Sequence, residues 1–271
     1  MPVLCMLNQK GGVGKTSTCY HLAGTLALAG RRVLLVDNDP QASLTQGFFG
    51  PAATDQMGVP RTIAALYAGL DPFPERVITP TEFAGIDLLT GSRHATEHNI
   101  PMPIRSPREA QFCLRTFLKE VRDRYDLVLI DCPPNLHLCS WAALVASDYL
   151  VVPLQAEDFG AQGLGPVQES VELVTAGPNP GLHLLGYLIT MFNARLAVHK
   201  GYEETLRGMY GQSVFETVIP IVTDFKEAIM QRKPVALFKP KGSGAKTMKA
   251  LASELDRRIQ GASRDQVRGA A

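Results

Sequence analysis

The sequence predicts an α/β fold, a doubly wound and mostly parallel sheet with helices on both faces. Two runs carry most of that prediction. Val33-Leu34-Leu35-Val36 and Leu127-Val128-Leu129-Ile130 are continuous and apolar, the pattern of strands buried on both faces of a parallel sheet. Stretches of helical periodicity lie between such runs, and each run ends in a polar or Gly/Pro-rich loop, the alternation of a βαβ architecture.

In chain order, strands are expected over 3–8, 33–37, 86–89, 127–131, 149–154 and 184–190. Helices are expected over 16–29, 112–124 and 161–176. Gly30 closes the first, since glycine tolerates the left-handed conformation after a helix, and Gly177-Pro178 stops the third. Residues 48–60 and Ile100-Pro101-Met102-Pro103 read as loops within one domain spanning 1–260. Met248, Leu251, Leu255 and Ile259 have the spacing of a helix packed on its own sheet. Residues 261–271, small and polar, are expected to form a disordered tail.

Composition excludes several classes. With 271 residues, 45% hydrophobic and 20% charged, the chain can bury a core and is too apolar for disorder. No apolar run approaches the roughly 18–20 residues of a membrane span. Met1-Pro2-Val3-Leu4-Cys5-Met6-Leu7 lacks a basic leading segment and reads as a first strand, not a signal peptide. The five cysteines are scattered, with no C-x-x-C pair. That argues against a disulfide framework, a zinc site or an iron–sulfur cluster, and for free thiols in a reducing cytoplasm. The net charge of +1 hides an asymmetry: 13 Lys and Arg face 18 Asp and Glu over residues 1–194, against 14 and 8 from Arg195 onward. A basic C-terminal quarter is either a well-solvated surface or a patch for a polyanion.

The strongest motif is Lys10-Gly11-Gly12-Val13-Gly14-Lys15-Thr16-Ser17-Thr18, between the first strand and the first helix. Glycines allow a tight loop whose N–H groups turn inward, and the helix start adds its positive end. Gly11, Gly12, Val13, Gly14, Lys15, Thr16 and Ser17 are thereby candidates for cradling a nucleotide's phosphates. Lys15 would reach the β- and γ-phosphates, and the Thr16 hydroxyl would coordinate Mg²⁺.

The motif departs from G-x-x-x-x-G-K-[ST] in having Gln9 at the first glycine position, followed by Lys10. In this it resembles the deviant Walker A ATPases, with their K-G-G-x-G-K-T signature, which include the ParA/Soj partition ATPases, MinD, the nitrogenase iron protein and ArsA. The resemblance implies ATP and Mg²⁺ as cofactors. It also implies that Lys10 crosses a nucleotide-sandwich dimer to touch the partner's phosphates, acting in trans as an arginine finger does.

Asp37-Asn38-Asp39-Pro40-Gln41 ends the second strand, where ligands bind in this architecture. The segment resembles the D-x-D-P-Q switch of ParA proteins. By that likeness Asp39 would position the attacking water and Asp37 would support the magnesium shell. Asp131, after four apolar residues and before Cys132-Pro133-Pro134, has the Walker B arrangement, in which the carboxylate holds Mg²⁺ through water. Cys132 reads as a packing residue. Thr190-Met191-Phe192-Asn193-Ala194-Arg195 resembles a T-M-x-x-x-R segment near the adenine, and Thr217-Val218-Ile219-Pro220 a T-x-I-P segment that meets the base. Asn193 and Pro220 are the base-contact candidates. The likeness covers roughly residues 3 to 260.

Among the family's branches, the ending Arg257-Arg258-Ile259-Gln260-Gly261-Ala262-Ser263 is too poor in large apolar residues for a MinD-type membrane helix. Paired cysteines for a bridging cluster are absent, and no length remains for the glutaminase domain of an amidotransferase-type synthetase. No segment precedes the first strand, so an operator-reading helix-turn-helix is not expected. A ParA-like protein remains, and the likeness implies a weak ATPase that dimerises on ATP and binds DNA non-specifically. A ParB-like or cargo-adaptor partner would stimulate its hydrolysis, with no membrane involved, in the cytoplasm on the nucleoid. Where chromosomal ParA proteins carry arginines after the I-P dipeptide, this chain has Ile221-Val222-Thr223-Asp224. Lys226, Arg232, Lys233, Lys239, Lys241, Lys246 and Lys249 are the alternative DNA-binding set. The competing readings are a P-loop synthetase acting on a small molecule, of cobyrinate type, and a MinD-like division regulator.

Overall fold

Leu34, Val36, Val128 and Ile130 point to one side of a sheet and Val33, Leu35, Leu127 and Leu129 to the other, each side meeting its own apolar layer. In the computed structural model, which describes residues 1–156 and 161–269, β2 (Val33–Asp37) and β5 (Leu127–Asp131) are accordingly buried throughout. β1 (Val3–Met6) alternates likewise, Val3 and Cys5 against Leu4 and Met6. β4 (Ile86–Leu89), β6 (Tyr149–Gln155) and β7 (His183–Thr190) complete the parallel part.

The seven strands run in the order β3-β4-β2-β5-β1-β6-β7. The short β3 (Ile78–Pro80) pairs antiparallel to β4 at the edge. Three residues ending in proline show no periodicity in the sequence, and an edge is where proline is tolerated in a sheet. The chain runs from β1 to β2 on one side and later from β5 to β6 on the other, so its winding reverses beside β1, and a crevice opens past the carboxyl end of that strand. Register brings Asp37 opposite Asp131 across the β2–β5 pair, and Met6 opposite Asp131 across β1–β5.

Helix α1 (Lys15–Leu28) starts one residue before its expected position and packs under the sheet with the C-terminal helices. Residues 48–60 are not a loop: α2 (Ser43–Phe49), α3 (Pro51–Asp55) and a 3₁₀ turn at Val59–Arg61 occupy most of that stretch and its flanks. Pro51 and Pro60 stand in the first turns of their elements, where a missing N–H costs nothing. Next come the short α4 (Ala64–Tyr67) and α5 (Pro74–Val77). α6 (Arg108–Glu120) lies four residues earlier than expected at both ends, because Pro107 sets its start and residues 121–124 form turns. α7 (Leu138–Ala146), α8 (Ala161–Ala176) and α9 (Ala197–Tyr210) follow, α8 with the expected bounds.

Beyond the sheet, α10 (Thr223–Met230) and α11 (Val235–Phe238) lead into α12 (Ser243–Gly269). The expectation of disorder from 261 is corrected as far as 269, since the helix continues there. Gly261 weakens a helix interior, but Ala262 is buried among the apolar residues beneath the sheet, and the Ser263 and Tyr149 hydroxyls meet at 2.9 Å. Gly24 is required where α1 meets Pro234: a Cβ there would lie 2.1 Å from the Pro234 Cβ.

Candidate nucleotide site

The loop from Asn8 to Gly14 leaves the buried end of β1 and turns back into α1. Gly12 and Gly14 have φ of 77° and 82°, a left-handed backbone that residues with a Cβ adopt at a cost. Asn8, almost fully buried, fixes the loop: its Nδ2 donates to the Pro153 carbonyl at 2.7 Å and its Oδ1 accepts the Lys10 N–H at 2.9 Å. Thr190 holds the far side, its hydroxyl donating to the Val13 carbonyl at 2.9 Å.

Helix α1 opens without a side-chain cap and without an acid in its first turn. Its leading N–H groups, with Thr16 and Ser17 half-buried beside them, form the positive end that suits an anion. Lys15 spans the loop, its Nζ donating to the carbonyls of Asn8 at 3.0 Å and Lys10 at 3.1 Å. Burial pulls the Lys15 pKa down, while the charge of Asp131 pulls it back up. Gly11, Gly12 and Lys10 are exposed. Lys10 borders a cleft of about 560 Å³ with Gln9, Pro101, Pro134, Asn135, Leu136 and His137.

The strand-end carboxylates are fully buried. Burial drives the Asp131 pKa well up, the Asp37 charge adds to the rise, and the Thr16 hydroxyl opposes it. Among the described residues, neither Asp131 oxygen, nor Asp37 Oδ1, has a hydrogen-bond partner in good geometry. Asp37 Oδ2 accepts from the Thr45 N–H at 2.7 Å and the Thr45 hydroxyl at 2.6 Å, which ties the strand end to α2. Burial pushes the Asp37 carboxyl up to about 7 despite those bonds.

Buried acid oxygens left without donors, next to a threonine hydroxyl, fit a divalent cation. Among the described residues no three His, Cys, Asp or Glu side chains gather into a metal cage. That matches Mg²⁺, which takes one or two protein ligands and fills its shell with water and phosphate oxygens.

Asp39 is half-buried and within the field of Lys15, and its Oδ1 accepts the Gln41 N–H at 2.9 Å. Burial raises its pKa, against that hydrogen bond. On the opposite side of the loop, the Phe192 N–H donates to the Ile219 carbonyl at 3.0 Å and the Ile221 N–H to the Phe192 carbonyl at 2.9 Å. The structure thus brings Asn193 and Pro220 onto neighbouring segments. Asn193 Oδ1 is occupied by the Arg195 N–H at 3.0 Å, which leaves its amide nitrogen as the group to offer.

The seven basic candidates are all exposed, but they are not equivalent. Lys239 is engaged by acids: its Nζ lies 2.7 Å from Asp224 and 3.8 Å from Glu227. Arg232 folds toward Gly50, its guanidinium 2.8 Å from where a Gly50 Cβ would stand. On α12, Lys246 and Lys249 share an exposed helical stripe with Arg257 and Arg264, two residues outside the expected set. Arg257 is paired with Glu216 at 3.2 Å. Asn8 and Thr45 also lay outside the expected site. Nothing in their local sequence marks them, since their partners are 145 and 8 residues away.

A phosphate loop at the reversal point of a parallel sheet, with two buried acids on the adjoining strand ends, defines a P-loop nucleoside-triphosphatase fold. Comparison with known proteins narrows the class. The family model described as "AAA domain" matches residues 1–184. The chromosome-partitioning ATPase Soj of Thermus thermophilus is 37% identical, over 95% of this chain and 96% of its own. The chromosome partitioning protein ParA of Myxococcus xanthus is 35% identical, over 94% and 88%. The chain belongs to the ParA/Soj family of chromosome-partitioning ATPases. Among solved structures, cobyrinic acid a,c-diamide synthase from Mycobacterium smegmatis, with bound ADP and magnesium, superposes with a TM-score of 0.80 at 28% identity, covering 96% of both chains. That synthase chain matches over nearly its full length, so chain length does not separate the partition and synthetase readings.

Proposed function

We propose that this protein is an ATP-driven partition switch that binds MgATP, forms a sandwich dimer, holds DNA through its backbone and lets go on hydrolysis stimulated by a ParB-like or cargo-adaptor partner. The observation that carries this reading is the placing of two lysines on one loop. Lys15 is turned inward over the phosphate cradle, and Lys10 is exposed at the lip. A lysine serving only its own nucleotide would face inward; one on the rim suits a second copy's phosphates. Ile100, Met102 and Ile104, 40%, 50% and 64% exposed, lie in the segment around Pro101 of the same cleft. They offer apolar surface for a dimer to cover.

In this reading the N–H groups of residues 11–17 bind the phosphates, and Lys15 neutralises charge on the transferred group. Thr16 and Asp131, with Asp37 behind, would hold Mg²⁺, whose chemistry is to offset the charge that builds on the phosphate oxygens. Asp39 orients a water in line, and the wall formed by Asn193 and Pro220 receives the base. Lys226, Lys233, Lys241, Lys246 and Lys249 supply charge for DNA phosphates, an interaction without base readout.

The test is binding of a long non-specific duplex with ATP, with ADP and without nucleotide, at two salt concentrations. ATP-dependent, salt-sensitive binding is expected, and absence of binding in every state sinks the partition reading. The likeness to the amide synthase favours one alternative. It predicts ATP turnover that requires cobyrinic acid and an amide-nitrogen donor, whereas the partition reading predicts that neither matters. Among the described residues no helix is long and apolar enough to cross a membrane. ATP-dependent co-sedimentation with anionic vesicles would favour a MinD-like regulator.

A further inference from the structure

Asn38 sits between the two acids of its segment and is only 1% exposed. Among the described residues, its side chain hydrogen-bonds to neither the phosphate loop nor Asp39. Instead its Oδ1 accepts the Tyr67 hydroxyl at 2.6 Å, and its Nδ2 donates to the Cys139 carbonyl at 2.7 Å. The orientation of the amide is forced, because a carbonyl can only accept and must therefore face the nitrogen. The Asn38 N–H donates to the Asp131 carbonyl at 3.0 Å. One residue thus ties the end of β2 to the end of β5, to the first turn of α7 and to α4.

Its partners are themselves fixed. Tyr67 is 5% exposed and ends α4. The entry to that helix is pinned by the Ile63 N–H on the Thr90 carbonyl at 2.8 Å, beyond β4. Asp39 follows directly, and its own carbonyl accepts the Ala42 N–H at 2.8 Å. The Asp39 backbone is therefore held on one side by a turn and on the other by Asn38.

We infer that Asn38 and Tyr67 are positioning residues, a buried clamp that sets Asp39 relative to Asp131 for hydrolysis, while contributing little to holding the nucleotide. This rests on the reading of Asp39 as the water-orienting group. Small displacements of such a group lower turnover steeply, because the attacking water must be in line. The phosphate cradle is held by Asn8, Thr190 and the loop backbone, through hydrogen bonds that involve neither Asn38 nor Tyr67.

The test uses the full chain with MgATP and compares Tyr67→Phe with the double variant Asn38→Leu/Tyr67→Phe. Tyr67→Phe removes one oxygen and leaves a buried amide oxygen unpaired. The double variant removes both partners of the Tyr67–Asn38 bond, an exchange that is often close to neutral for stability, and also deletes the Asn38 Nδ2 bond to the Cys139 carbonyl. Expected are a turnover number lowered roughly tenfold or more in both variants and an ATP dissociation constant within about twofold of wild type. A melting temperature recovered in the double variant, with turnover still low, would separate positioning from stability. Normal turnover in Tyr67→Phe overturns the inference alone. Losses in affinity and turnover that follow the melting temperature also overturn it, since they mark a merely structural role. Wild-type protein that binds ATP and never hydrolyses it, even with partner present, overturns the hydrolysis reading and the clamp with it.

Discussion

The two charged regions of this molecule are built on opposite terms. At the carboxyl end of the sheet, Lys15, Asp37, Asn38 and Asp131 are buried, and register, hydrogen bonds and backbone geometry dictate where each stands. Along α10 to α12 the lysines are exposed, and each can pair with whatever acid is near, as Lys239 does with Asp224. A buried charge is retained at a cost in solvation, and one that the protein itself leaves without a partner points to a ligand. An exposed one costs little, and its position alone says little. The first region reads as a mechanism and the second as a surface.

The largest effects are expected in the buried region. Lys15→Ala removes charged hydrogen bonds to phosphate and should weaken ATP binding roughly 100-fold, measured by calorimetric titration. Unchanged affinity would take Lys15 out of the site. Asp39→Ala leaves the cradle intact, so ATP affinity should persist while hydrolysis falls roughly 10- to 100-fold. The ATP-bound dimer should then accumulate on light scattering, and a variant that stays monomeric with ATP would remove Asp39 from the water-orienting role.

How legible these regions were differs for the same reason. Lys15, Thr16, Asp131 and the glycines could be picked from the sequence because loop, helix start and strand end are local signals a few residues long. Asn8, Thr45 and Tyr67 could not, because each acts through a partner that only the fold brings near. Asn38 was in view within its motif, but its partners Tyr67 and Cys139 stand 29 and 101 residues away. The central strands were placed correctly because burial on both faces leaves unbroken apolar runs. The errors fell where periodicity is short or interrupted: three-residue β3, the proline-started helices over 51–61, and the glycine-containing end of α12. The ion pair of Lys239 with Asp224, 15 residues away, was not visible in a count of charges.

The buried acids also make a prediction in pH. Burial pushes the Asp37 carboxyl from its ordinary 3.8 up to about 7 in the folded chain. The unfolded chain therefore releases this proton first, and the folded state binds more protons between those values. Asp37 thereby contributes a fall in stability as pH rises from about 4 to about 7, of about 4 kcal/mol at most, while His21, buried and held neutral with its pKa lowered to about 3, contributes a rise up to about 6.5. Asp131 is shifted in the same direction as Asp37. Asp37→Asn should remove part of that fall in melting temperature between pH 5 and 7. MgADP, whose cation favours the ionised acids, should flatten it in the wild type. A pH slope left unchanged by Asp37→Asn would show Asp37 to be ionised in the folded chain without a cation.

The smallest effects are expected on the exposed side, and there the pairing of charges decides the ranking. Lys226→Glu with Lys233→Glu should leave nucleotide binding and dimerisation intact. DNA affinity should fall about tenfold, and the slope of log affinity against log salt should shrink by about one for each phosphate no longer neutralised. Lys239→Ala deletes the same formal charge as any single lysine, yet its ammonium is engaged by Asp224 and Glu227. It should change DNA affinity less than Lys246→Ala on the open stripe of α12, and should instead cost stability where Asp224 loses a partner. Should Lys239→Ala weaken DNA binding more than Lys246→Ala, the pair must open on the duplex. The distinction between committed and available charge would then fail on this surface.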